Sequence, residues 1–153
     1  MSPLSLDEAA RIVLDHFAPP HCPHSFEALG NRGGFSGARL WRCEGALGSS
    51  CLRAWPAGEP SPHRVGWLHH LMTIARRAGL SVVPEVFATR SGATWADHAG
   101  RLWELQSWQP GTADFHDSPT PARLQAACAA LARLHVAWET VRPESGPCPA
   151  VER

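Results

Sequence analysis

Four glycines, Gly30, Gly33, Gly34 and Gly37, fall within eight residues of the stretch LGNRGGFSGARLWRC, positions 29–43. A residue without a Cβ lets backbone amides come close to an anion, and successive amides in such a loop form a nest for phosphate oxygens. Gly33, Gly34 and Gly37 are the positions where that freedom matters, Phe35 lies among them, and Ser36 adds a hydroxyl donor. Further on, CLRAWP carries Arg53, whose planar guanidinium can grip phosphate through two parallel hydrogen bonds. The same residues would also serve a plain hairpin loop and a solvated strand arginine.

Other chemistries find less support. The glycine loop lies between two expected strands, whereas a dinucleotide fingerprint needs a strand-to-helix turn. It lacks the Gly-Lys-Ser/Thr of a P-loop, and no Gly-x-Ser-x-Gly elbow occurs. His21-Cys22-Pro23-His24 offers three metal-ligating side chains, but zinc takes four, and no second pair stands at a suitable spacing. A plain loop is expected there, and no metal site. All fourteen basic residues are arginine, Asn31 is the single asparagine, and tyrosine is absent.

The elements that must hold these residues follow from pattern. Ser5-Leu6-Asp7-Glu8 fits a capping box. A helix follows with Ala9, Ile12, Val13 and Phe17 on one face, ended by Pro19-Pro20. Strands are expected at 26–29, 38–44 and 51–55. Ser61 with Pro62 starts a helix that Gly79 stops, with Val65, Leu68, Met72 and Ala75 facing a core. VVPEVFAT, ATWADHA and RLWELQSW read as three more strands, separated by Ser91-Gly92 and Ala99-Gly100. After Pro110-Gly111 and a polar connector, residues 121–138 form a helix with Leu124, Ala127, Cys128, Leu131, Leu134 and His135 near one stripe. Pro149 would open a further helix. Most of the seven tryptophans are expected in the core.

With 44% hydrophobic and 18% charged residues the chain can bury a core, and a formal net charge of zero gives no electrostatic footprint for nucleic acid or an anionic membrane. No apolar run approaches the roughly 20 residues of a membrane span. The first residues carry acids where a signal peptide would be basic, so a cytoplasmic protein is expected. Five scattered cysteines fit reduced thiols.

Taken in order, LGNRGGFSGARLWRC, CLRAWP, VPEVFAT, LWELQSWQPG and LARLH resemble the aminoglycoside phosphotransferase-like superfamily, small-molecule kinases that include choline and homoserine kinases. The resemblance covers about residues 26–135. It implies an α+β fold: a protein-kinase-like N-terminal lobe (1–111) with an antiparallel sheet of five or six strands, one packed helix, and helices at both ends. Residues 112–153 would be a connector and the start of a helical C-terminal lobe. It also implies that Gly33, Gly34, Phe35, Ser36 and Gly37 cover ATP phosphates and that Arg53 stands where most relatives have lysine. Backbone groups around Gln106, Ser107 and Trp108 would meet the adenine edge. Relatives hold the basic residue with a glutamate on the next helix, yet 62–79 contains no acid. His69, His70 and Glu59 are candidates to replace it, with surface histidines the simpler expectation.

Phosphoryl transfer also needs an aspartate to orient the nucleophile and ligands for magnesium. The family supplies these from a His-Gly-Asp…Asn loop and a later Asp beyond the LARLH helix. The 18 residues after His135 contain no aspartate. No catalytic residue and no metal ligand is therefore assigned. The expectation is the nucleotide-facing part of a small-molecule kinase, using ATP with Mg²⁺ in the full-length family, and inactive as this chain. The alternative is a non-catalytic lobe that docks a protein partner through the 121–138 helix.

Overall fold

The computed structural model describes residues 4–31 and 36–143. Helix α1 (Leu6–Leu14) begins at the expected capping box: the Glu8 amide donates to Ser5 Oγ, and the Ser5 amide donates to the Glu8 carboxylate at 2.8 Å. These bonds from Ser5 hold the Glu8 carboxyl below its ordinary range. Their contribution is present at neutral pH and fades as the pH falls through that lowered value. Ala9, Ala10, Val13 and Leu14 are buried, while Ile12 remains exposed. The helix stops before Phe17, which is fully buried and bridges Thr89 instead. Pro19–His21 form a separate 3₁₀ turn.

Strands β1 (Pro23–Gly30), β2 (Arg39–Gly45) and β3 (Gly48–Ala54) form an antiparallel meander. Helix α2 (Pro62–Arg77) follows, capped by the Ser61 hydroxyl with proline at its first position. Strands β4 (Ala96–His98) and β5 (Arg101–Ser107) complete a five-stranded sheet ordered β1-β2-β3-β5-β4. Their connection is a two-residue turn in which Ala99 (φ 52°) and Gly100 (φ 69°) are both left-handed, as a type I′ hairpin requires. Glycine takes that conformation without strain; Ala99 does so at a cost.

Of the three further expected strands, VVPEVFAT does not become one. It meets β5 through a single bridge, Val86 to Gln106, flanked by the bonds Phe87 N to Leu105 O and Ser107 N to Glu85 O. Pro84 has no amide to extend the ladder on one side. On the other, β4 already occupies the edge of β5 at Arg101, Leu102 and Trp103.

The sheet has two unlike faces. Ser50, Leu52 and Ala54 of β3 are buried on one, and the apolar core gathers there: α1, Trp41, Cys43, Leu52, Ala54, Trp103 and Leu105. The Trp41 and Trp103 rings lie 5.4 Å apart, and both indole N–H groups are satisfied, by Asp7 and by the His98 carbonyl. Burial pushes the Cys43 thiol up to about 12, so it stays a neutral, inert packing group. Only Trp41 and Trp103 of the seven tryptophans are fully buried; the other five are partly exposed.

Helix α3 (Pro121–Ala137) runs as expected, but none of its residues is buried. Its C-terminal end, with Leu134, Ala137 and Trp138, packs on a small cluster of Ala75, Leu80 and Val83. Leu124 and Leu131 of the expected stripe are exposed. At its start, Arg123 binds Asp114, which lowers the Asp114 carboxyl and ties the connector to the helix. The expected helix at Pro149 lies outside the described residues, as does Cys148. Cys22, Cys43, Cys51 and Cys128 are free thiols. No helix among the described residues is long and apolar enough to cross a membrane.

Candidate functional site

The second face of the sheet carries the charge. Along a strand, alternate residues share a face, so Cys51 and Arg53 of β3 point away from the α1 core. Register places Arg53 opposite Leu40 on one side and Glu104 on the other, and Leu40 opposite Gly30. Gly30, Leu40, Arg53 and Glu104 therefore form one row across the sheet. The row joins the start of the glycine loop to the strand basic residue, with about 10 Å between Gly30 and Arg53 at two strand spacings. From the other end of the loop, a Cβ on Gly37 would come to 3.3 Å from Pro56 just beyond β3, and Gly37 has φ of 70°. The segment thus leaves β1 two strands from Arg53 and returns at Gly37 next to the end of β3. Ser36 Oγ accepts from the Ala38 amide at 3.4 Å. Gly33, Gly34 and Phe35 lie outside the described residues.

Arg53 is not a free surface arginine. Its Nη1 donates to Glu104 Oε1 at 2.8 Å, and its guanidinium lies 5.2 Å from the Trp55 ring centroid. Glu104 is 2% exposed, on a strand buried on both faces. A carboxylate held that deeply must be fully hydrogen-bonded or it destabilises the fold. Gln106 Nε2 donates to the same Oε1 at 2.8 Å, and His69 Nε2 meets Oε2 at 2.6 Å. The other ring nitrogen of His69 is 2.8 Å from Thr94 Oγ1.

His69 thus departs from the surface position expected of it. It is 3% exposed and faces the sheet from α2, whereas His70 is exposed. The partner of Arg53 is neither histidine nor Glu59; it is Glu104, a residue that pattern reading passed over. Part of the signal was available, a single acid inside the apolar run LWELQ; that it lies opposite a basic residue is visible only in the sheet. Cys51, the register partner of Gln106, shares this face, and burial raises its thiol despite nearby Arg53.

At the end of β5 the expected hinge residues are placed together, with several of their groups engaged. The Gln106 amide is bound to Glu104. Ser107 N donates to the Glu85 carbonyl, and Ser107 Oγ accepts from the Glu85 amide. Trp108 N donates to Ser49 O, and its ring lies 4.9 Å beneath the Arg42 guanidinium. An adenine edge would have to use other backbone groups of this stretch.

Elsewhere, His21 stacks on Phe87 at 3.9 Å and Cys22 points its sulfur at the carbonyls of Leu14 and Phe17. Among the described residues no three His, Cys, Asp or Glu side chains converge on a point where a metal could sit. The acid nearest Arg53 has both oxygens occupied, so this face does not fit a magnesium ion held by Glu104. An open hollow of about 540 Å³ beside Ile12, Asp15, His16, Arg90, Trp95 and Asp97 shares no residue with the Arg53 site.

The antiparallel five-stranded sheet and its helices agree with comparison to known proteins. A family model described as phosphotransferase enzyme family matches residues 27–153. The chain belongs to that family. The crystal structure of an aminoglycoside phosphotransferase from Alicyclobacillus acidocaldarius subsp. acidocaldarius DSM 446 superposes with a TM-score of 0.63 at 17% identity. The alignment covers 90% of this chain and 36% of that one. At that identity the likeness is one of fold, and it confirms the α+β, kinase-like N-terminal lobe with its antiparallel five-stranded sheet. A search of curated proteins finds no match. In this phosphotransferase-family chain the strand arginine meets an acid from the neighbouring strand, and that acid in turn meets a histidine from α2.

Proposed function

We propose that this chain is the nucleotide-facing part of a small-molecule phosphotransferase. In the complete architecture ATP would donate a phosphoryl group to a hydroxyl of the acceptor. Residues 1–111 form the lobe that meets the nucleotide, and 112–153 begin a second, helical part. One observation carries this reading: Arg53 is fixed at the centre of the sheet, in the same cross-strand row as the start of the glycine loop. A cation so placed, in the row that leads to a glycine-rich segment, suits a polyphosphate. The chain's own residues would bind and orient the nucleotide; the 18 positions after His135 hold no aspartate.

The test is calorimetric titration of the full chain with ATP and with AMP. Arg53→Gln is expected to weaken ATP by about tenfold or more, the value of a charge-assisted bond, and AMP by less. Equal ATP affinity in the two proteins would remove Arg53 from the site.

The exposed Leu124, Leu131 and Val136 of α3 favour a second role for that helix, as the surface on which a further helical lobe or a partner protein docks.

A further inference from the structure

Resting on the nucleotide reading above, we propose that Glu104 is the positioning residue for Arg53, with His69 as its anchor on α2. Glu104 would then stand in for an acid that α2 does not contain. The geometry is that of a bridge. One carboxylate oxygen takes Arg53 Nη1 and the Gln106 amide, the other takes His69 Nε2, and His69 is held in turn by Thr94. The backbone carbonyl of His69 also accepts from the Thr73 hydroxyl. Each link is 2.6–2.8 Å long.

Two consequences follow from where the acid sits. Arg53 and Glu104 are register partners on adjacent strands, so the pair is built into the sheet and does not depend on how closely α2 approaches. Moreover, an arginine has five N–H donors in a rigid fork. Among the described residues Glu104 takes Nη1, and Arg53 is about one-third exposed, so the fork keeps an open side for phosphate oxygens. The acid fixes the aim of the guanidinium without covering it.

Positioning and simple electrostatics give opposite signs, which makes the claim testable. Glu104→Gln removes a negative charge near the phosphates; on charge alone ATP would bind more tightly. Positioning predicts weaker ATP binding, by about fivefold to tenfold, because a neutral acceptor holds Arg53 about half as strongly. AMP affinity is the control for the intact lobe and should fall by clearly less than ATP affinity. In an Arg53→Gln background, Glu104→Gln should have no further effect on ATP.

Tighter or unchanged ATP binding in Glu104→Gln overturns the inference. So does an equal loss for ATP and AMP, or an additive loss in the double variant. Glu104→Asp keeps the charge but, one methylene shorter, cannot span Arg53 and His69. If the glutamine variant does not fold, a folded aspartate variant with an unchanged ATP-to-AMP ratio overturns the inference equally. A wild-type chain that binds no ATP would overturn the nucleotide reading first, and this inference with it.

Discussion

Trp103→Ala is expected to destabilise the chain by about 3–5 kcal/mol, the cost of truncating a large, fully buried aromatic. For a chain of this size that is a fall in Tm of roughly 6–20 °C. Trp103 has no exposed surface and occupies the middle of β5, opposite Ala54 on one side and Ala96 on the other. Two alanines as register partners leave room for one indole, and neither can fill the space it leaves. The variant also removes the hydrogen bond that Trp103 Nε1 gives the His98 carbonyl at 3.0 Å. The Trp41 ring, 5.4 Å away, loses its partner as well. Leu47→Ala, at a site 69% exposed, serves as control and should stay within about 0.5 kcal/mol. Thermal unfolding followed by circular dichroism separates the two cases; a Trp103→Ala protein as stable as wild type would contradict the assigned core.

Glu104→Ala is the second large effect, at about 3 kcal/mol. Removing one member of a buried ionic group leaves the others without a partner, which typically costs about 3–5 kcal/mol. The lower end applies because Arg53 keeps contact with water. His69 and Gln106 carry most of the penalty, being 3% and 6% exposed. The companion is the triple variant Arg53→Met, Glu104→Leu, His69→Leu. It replaces the whole group with apolar side chains and should recover most of the loss, since buried ion pairs contribute little net stability over well-packed hydrophobics. Recovery would show that the group is kept for what it does to Arg53. If the triple variant were no more stable than Glu104→Ala, the site would be one that cannot be repacked, and this account of its cost would be wrong.

The sequence made the meander, α2 and the place of Arg53 legible, because each rests on local signals. These are serine caps followed by proline, glycines at turns, and alternating strands. The bridge to Glu104 was not legible for a different reason. It depends on β3 and β5 being neighbours in the sheet although 51 positions separate the two residues. Pattern reading sees a polar residue in an apolar strand and has no means of knowing what lies opposite. His69 was hidden in the same way: a histidine next to another on a helix reads as surface until the helix rotation is fixed. The 82–89 segment misled through composition. Its valines favour a strand, but Pro84 and the edge already filled by β4 leave it one bridge to β5. In α3 the apolar stripe was legible, while what it packs against was not. Only its last turn finds a partner in Ala75, Leu80 and Val83.

The most direct test of the nucleotide reading is to crystallise the full chain with ATP and locate the phosphates. The account predicts phosphate oxygens within hydrogen-bond distance of the Arg53 guanidinium. The glycine loop would fold over them, and Glu104 would still bridge Arg53 and His69. ATP ordered at another surface, or phosphates that leave Arg53 untouched, would contradict it.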